Sequence, residues 1–306
     1  MYCEHFRLKD LPFSLTPNTH YFLNVAHFRD ALNTALMALE HGEGFIKITG
    51  DIGTGKTLIC RKLVQLLDPA QYEVIYLSNP NLSVDDLYRT LALVLGIPTV
   101  DALSRASLLD QIQTHLFENP SDQAKKIVLI LDEAQAMPLE TLEALRLLAN
   151  IETEEKKLLQ IVLVGQTELD RKLATADLRQ LLQRIGFHAT IPAMSAAAVR
   201  SYVEHRLMVA GAQGETLFTP AAIQKIYGGS HGIPRVINIL AHKAMLAAFG
   251  AGDKVVTPKH VAQAIGDTEC AGAKQAVDWL AVVKNGMVVF CAILAIQILY
   301  SWLKGV

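Results

Sequence analysis

The stretch Gly50-Asp51-Ile52-Gly53-Thr54-Gly55-Lys56-Thr57 decides the fold. It matches G-x-x-x-x-G-K-[ST], a loop whose glycines let successive backbone N–H groups turn inward at phosphate oxygens. An apolar run of strand length, 45–49, precedes it, and a helical pattern follows. The helix start adds the positive end of its dipole to the same phosphates. Lys56 then reaches the terminal phosphates of a nucleotide, and the Thr57 hydroxyl ligates magnesium. Leu58 extends the binding segment into the helix, whose inner face is expected to carry Leu58, Leu63, Val64 and Leu67. ATP with Mg2+ is the ligand this segment predicts.

A second signal lies at Ile127-Val128-Leu129-Ile130-Leu131-Asp132-Glu133. A buried apolar strand that ends in acids puts carboxylates at the carboxyl edge of a sheet, where α/β folds bind ligands. Asp132 is expected to hold magnesium through water, and Glu133 to aim a water at the terminal phosphate. A strand at 74–77 intervenes in sequence between the two motif strands. That order belongs to the additional-strand class of phosphate-loop folds.

Apolar runs at 45–49, 74–77, 127–131 and 161–164, each followed by a helical pattern, predict a parallel sheet covered on both faces. A shorter fifth strand is expected at 189–191, stopped by Pro192. Beyond it, helical periodicity continues without strands over 195–210, 219–227, 234–248 and 257–265. Ser195, Thr219 and Thr257 suit the N-cap, and Pro220 and Pro258 the first helical position. The expected division is a nucleotide-binding domain at 1–192 with its lead-in, a helical lid at 193–268, a linker at 269–285 and an apolar span at 286–303.

Several polar residues fall where a phosphate site needs them. Gln166 ends the strand at 161–164 and is positioned either to contact the terminal phosphate or to be a plain polar strand end. Arg179 and Arg184 follow, and one of them is expected to face a neighbouring subunit's nucleotide, Arg184 being preferred. Arg235 sits in Gly232-Ile233-Pro234-Arg235, on the first turn of a helix, where a cation opposes the dipole unless an anion lies near.

Together, the loop, the Asp132-Glu133 strand, Gln166, the arginines and the Gly-Ile-Pro-Arg lid segment resemble AAA+ ATPases. The lead-in Phe6-Arg7-Leu8-Lys9-Asp10-Leu11-Pro12-Phe13-Ser14-Leu15-Thr16-Pro17, with Val164-Gly165-Gln166 and Leu178-Arg179-Gln180, resembles the ExeA/GspA group of secretion ATPases. Within it, the resemblance runs closest to ATPases of mannose-sensitive haemagglutinin (MSHA) pilus biogenesis. It spans residues 1 to 268 and implies an oligomeric ATP hydrolase serving an inner-membrane pilus or secretion assembly protein. It also implies that residues 17–27 pack on adenine; Tyr21, Phe22 and Phe28 as plain core are the equal alternative. A DNA-linked regulator of transposition or helicase loading is the rival reading within the same superfamily.

The bulk numbers bear on that choice. Hydrophobic residues make up 51% of the 306, and charged residues 19%, against about 25% charged in ordinary domains. The net charge of -2 shows none of the basic footprint that nucleic-acid binding leaves, so nucleic acid is not among the expected partners. Four cysteines without metal or redox spacing read as free thiols. The excess greasiness sits between Lys284 and Lys304, nineteen uncharged residues that make about 28 Å of helix. Nine strongly apolar side chains there favour insertion by roughly 3 to 5 kcal/mol, with Tyr300 and Trp302 suited to the interface. The expectation is a helix anchoring the protein in the bacterial inner membrane, with membrane lipid as a contact and the ATPase domain cytoplasmic. ExeA-like proteins carry a peptidoglycan-binding domain beyond such a span; the expectation here is a span without one.

Overall fold

A computed structural model describes residues 2–271, apart from 79–80, 99–103, 119–124, 150, 153–156, 215 and 270. Five parallel strands form one sheet: β1 (Phe45–Gly50), β2 (Tyr72–Leu77), β3 (Lys126–Leu131), β4 (Leu159–Gly165) and β5 (Ile185–Ile191), in the order β2-β3-β4-β1-β5. The insertion of β4 between β1 and β3 is the additional strand that the sequence order predicts. It also brings three strand ends with chemistry to one edge, because all five strands run the same way.

Helices α1 (Tyr2–His5) and α2 (Ala26–Glu40) precede the sheet. Helices α3 (Lys56–Leu66), α4 (Val84–Val94), α5 (Arg105–Glu118), α6 (Leu139–Leu148), α7 (Glu168–Leu173) and α8 (Arg179–Leu182) connect its strands. Strand residues alternate between two cores. Ile46, Ile48, Val128, Ile130, Val162 and Val164 face α2, α3 and the lead-in. Phe45, Ile75, Leu129, Leu131, Ile161 and Leu163 face α4 to α8.

After β5 come α9 (Ala196–Val209), α10 (Pro220–Ser230), α11 (Pro234–Ala251) and α12 (Pro258–Gly266). Ser195 and Thr219 cap their helices through the side chain, Thr257 completes a capping box, and Pro220 and Pro258 sit in the first turn, as the residue types require.

Two expectations need correction. The fifth strand is seven residues long, not three. Ile185-Gly186-Phe187-His188-Ala189-Thr190-Ile191 alternates half-buried with exposed residues, so as an edge strand it lacks the continuous apolar run that marked the others. On α3 the buried apolar positions are Ile59, Cys60 and Leu63, with Leu67 just beyond. Val64 instead lines an open groove with Pro17 and Thr19. The lead-in also packs on the lid helices. Tyr2 Oη meets His242 Nδ1 at 2.9 Å, and the Lys9 N–H donates to Ala210 O at 2.8 Å, so the chain's start is stitched to the lid helices. The expected linker falls mostly, and the span at 286–303 wholly, outside the described residues; among those described, no helix is long and apolar enough to cross a membrane.

Candidate nucleotide site

The loop after β1 has the backbone geometry of an anion cradle. Gly53 and Gly55 hold φ at 81° and 98°, a region costly for any residue with a Cβ. The Thr54 hydroxyl ties back to Asp51 O at 2.8 Å. Lys56 Nζ, 5% exposed, donates to Gly50 O and Asp51 O, each at 2.9 Å. Burial pushes the ammonium below its usual pKa, and the Glu133, Asp132 and Asp51 carboxylates oppose that shift only in part. A buried cation resting on carbonyls alone is a site that gains from an arriving anion. Asp51 and Ile52 are exposed at the loop's tip, and Leu58 is half-buried at the start of α3.

Asp132 sits at the carboxyl end of β3, 2% exposed, and both of its carboxylate oxygens accept hydrogen bonds. Its Oδ2 accepts from Thr57 Oγ1 at 2.8 Å and from Tyr76 Oη at 3.0 Å, and its Oδ1 accepts from the Glu133 N–H at 2.9 Å. The hydroxyl–carboxylate pair of Thr57 and Asp132 is an oxygen donor set of the kind magnesium takes. Tyr76 was not legible as a site residue. It reads as one more aromatic in β2, and only the pairing of β2 with β3 brings its hydroxyl to Asp132. Burial, then the Asp132 charge, raises its pKa beyond the ordinary phenol range, so it is a neutral donor.

Glu133 has φ 55° and ψ 35°, the left-handed region, unusual for a residue with a side chain. Its carboxylate is held by two side-chain amides. Oε2 accepts from Gln135 Nε2 at 2.6 Å and from Gln166 Nε2 at 3.0 Å. The expected Gln166 is therefore beside the expected Glu133. Gln135 is a residue that sequence reading passed over; its only signal is its place two positions beyond the acid pair.

Arg235 opens α11 and is exposed, and its backbone N–H donates to Gly53 O at 3.2 Å. A Cβ built on Gly53 would stand 2.9 Å from Arg235 Cβ, so the lid helix lies directly on the phosphate loop and only glycine fits between them. Arg184 is elsewhere. It precedes β5 at the opposite edge of the sheet, where Ile185 pairs with Phe45, about 16 Å of strand from the loop. Arg179 starts α8 and, like Arg184, is exposed. In the lead-in, Tyr21 and Phe28 are buried, Phe22 stacks on Phe28 at 5.8 Å, and the Phe28 ring reaches within 3.4 Å of where a Gly55 Cβ would be. Tyr21 and Phe28 belong to the core with Phe22 packed against it, and Phe28 backs the phosphate loop.

A five-stranded parallel sheet in this order, with a phosphate loop after its central β1 and an Asp-Glu pair after β3, defines a P-loop ATPase of the AAA+ type. A profile described as an AAA domain matches residues 39–173. General secretion pathway protein A of Aeromonas hydrophila is 41% identical over 252 residues, 82% of this chain and 46% of the relative, so this chain spans about half of that protein's length. The chain belongs to the ExeA/GspA group of AAA+ ATPases. Among solved structures, Cdc6p from Pyrobaculum aerophilum superposes with a TM-score of 0.65 at 20% identity, over 83% of this chain and 69% of that one. The Aeropyrum pernix ORC2 protein gives 0.59 at 17% identity, over 82% and 72%. At those identities the similarity is one of fold.

Proposed function

We propose that this protein hydrolyses Mg-ATP and uses the cycle to drive assembly of a cell-envelope machine at the inner membrane. The observation that carries the reading is the convergence of Lys56, the Thr57–Asp132 pair and the Glu133–Gln166 pair at one sheet edge. Lys56 and the N–H groups of residues 50–57 hold the terminal phosphates. Thr57 and Asp132 would hold magnesium, whose charge neutralises developing phosphate charge. Glu133 orients the attacking water and accepts its proton, and Gln166 contacts the terminal phosphate or that water. Arg235 reaches the phosphates from the lid, so lid position reports nucleotide state. Arg184 lies too far from its own loop for any cis role. In a homo-oligomer it completes a neighbour's site.

The domain division proposed is 1–192, 193–268, 269–285 and 286–303, with the last a membrane anchor and the ATPase cytoplasmic. The relationship to a general secretion pathway protein supports a secretion or pilus-assembly setting, and the MSHA-type pilus is the finer proposal. A rival DNA-linked role predicts salt-sensitive retention on DNA; this reading predicts ATPase activity indifferent to DNA. A chain cut after Lys284 should be soluble, should hydrolyse ATP at the full-length rate and should fail to support surface piliation or secretion. Membrane fractionation, ATPase assay and surface display of the two forms check this. Full-length protein released by alkaline carbonate would remove the anchor from the account.

A further inference from the structure

We propose that Gln135 is a positioning residue that binds Glu133 and Gln166 into one unit. The proposal rests on the reading of Glu133 as the group that activates water, and adds to it a residue that touches neither nucleotide nor water.

Both ends of the Gln135 carboxamide are committed. Its Nε2 donates to Glu133 Oε2 at 2.6 Å, and its Oε1 accepts the Gln166 backbone N–H at 2.9 Å. Gln166 in turn sends its own Nε2 to the same Glu133 oxygen at 3.0 Å. The three side chains close a ring across the ends of β3 and β4. The strand between loop and acid is therefore tied to the acid itself. Room for the ring exists because residue 165 is glycine: a Cβ there would stand 2.9 Å from Gln135 Oε1. Gln135 is held from behind as well, its carbonyl accepting from Lys172 Nζ of α7 at 3.0 Å.

Glu133 needs such a restraint. Its backbone is in the left-handed region and its carboxylate is half-buried, with no cation hydrogen-bonded or ion-paired to it among the described residues. Two N–H donors on one oxygen fix which oxygen is engaged and leave Oε1 as the one presented to water. Because Gln166 is both a donor to Glu133 and a strand-end group facing the nucleotide, a phosphate that draws its amide away leaves Gln135 as the remaining tether. The base is then freed on one side without being lost on the other.

The tether needs one donor and one acceptor in a single side chain, and this gives a test on the full chain. Gln135→Met keeps the length and lacks both groups. Gln135→Glu keeps the acceptor and loses the donor. Gln135→His has, as neutral imidazole, one of each. We expect Gln135→Met and Gln135→Glu to lose about 10- to 100-fold in kcat, the scale of a small misplacement of a reacting group, with KM and the affinity for a fluorescent ATP analogue unchanged. Gln135→His should recover most of that loss. Hydrogen exchange of the nucleotide-free protein supplies a second readout. The Gln166 amide should lose protection in Gln135→Met and keep it in Gln135→Glu and Gln135→His.

Wild-type kcat and wild-type exchange at Gln166 in Gln135→Met would overturn the proposal. So would a kcat loss matched by an equal loss of nucleotide affinity, since that is damage to the fold. A Glu133→Gln control separates the two layers. If that variant turns over normally, the reading of Glu133 fails; if it is inert while Gln135→Met is normal, only the role of Gln135 fails.

Discussion

Glu133→Gln is expected to lower kcat by about 10²- to 10⁴-fold, the range for removing a general base, while nucleotide affinity stays within a factor of about two. The substitution keeps the side chain's shape and one oxygen acceptor. It removes the negative charge and the basic lone pair, so water is no longer polarised. The neighbours tolerate it, because an amide can still accept from Gln135 Nε2 and Gln166 Nε2 through its oxygen. Lys56, Thr57 and Asp132 are untouched, so binding survives. Steady-state kinetics with an equilibrium binding isotherm check both halves. A Glu133→Gln protein with wild-type kcat would remove Glu133 from the chemistry.

Arg184→Ala is expected to cost a comparable or larger factor, about 10³- to 10⁵-fold if it behaves as arginines supplied to phosphoryl-transfer sites do. Its position defines how the loss should appear. Arg184 stands at the edge of the sheet opposite its own phosphate loop, and the proposed role is therefore on a neighbouring copy. Activity per subunit should therefore rise with protein concentration. Arg184→Ala and Lys56→Ala proteins, each inactive alone, should recover activity when mixed, since one brings an intact loop and the other an intact arginine. Size-exclusion chromatography verifies that the mixture assembles. Assembled mixtures without recovered activity would exclude Arg184 and transfer the role to Arg179, exposed on α8 nearby.

What the sequence disclosed, and what it withheld, follows from how each feature is encoded. The phosphate loop and the Asp132-Glu133 end were legible because they are contiguous in sequence and bounded by buried parallel strands. Such strands read as unbroken apolar runs. β5 was shortened because an edge strand is half solvated and loses that signature. Arg235 was found through a local conflict, a cation on a helix N-terminus, and its contact with Gly53 gives that conflict a place in the fold. Tyr76 and Gln135 were missed for opposite reasons. Tyr76 looks like ordinary strand packing until β2 and β3 are set side by side. Gln135 carries no periodicity and no charge, and its partners, Glu133 and Gln166, lie thirty-three residues apart in sequence. The packing of the lead-in aromatics rests on burial, which sequence does not supply. Tyr21 and Phe28 are buried in the core, and the Phe28 ring also braces the loop.

The most direct test is to identify the nucleotide held after incubation with Mg-ATP and rapid removal of free ligand. The account predicts ADP on the wild-type protein, intact ATP on Glu133→Gln, and no nucleotide on Lys56→Ala. Retention of ATP by Lys56→Ala, or ADP on Glu133→Gln in wild-type amounts, would contradict the assignment of this sheet edge as the site of ATP hydrolysis.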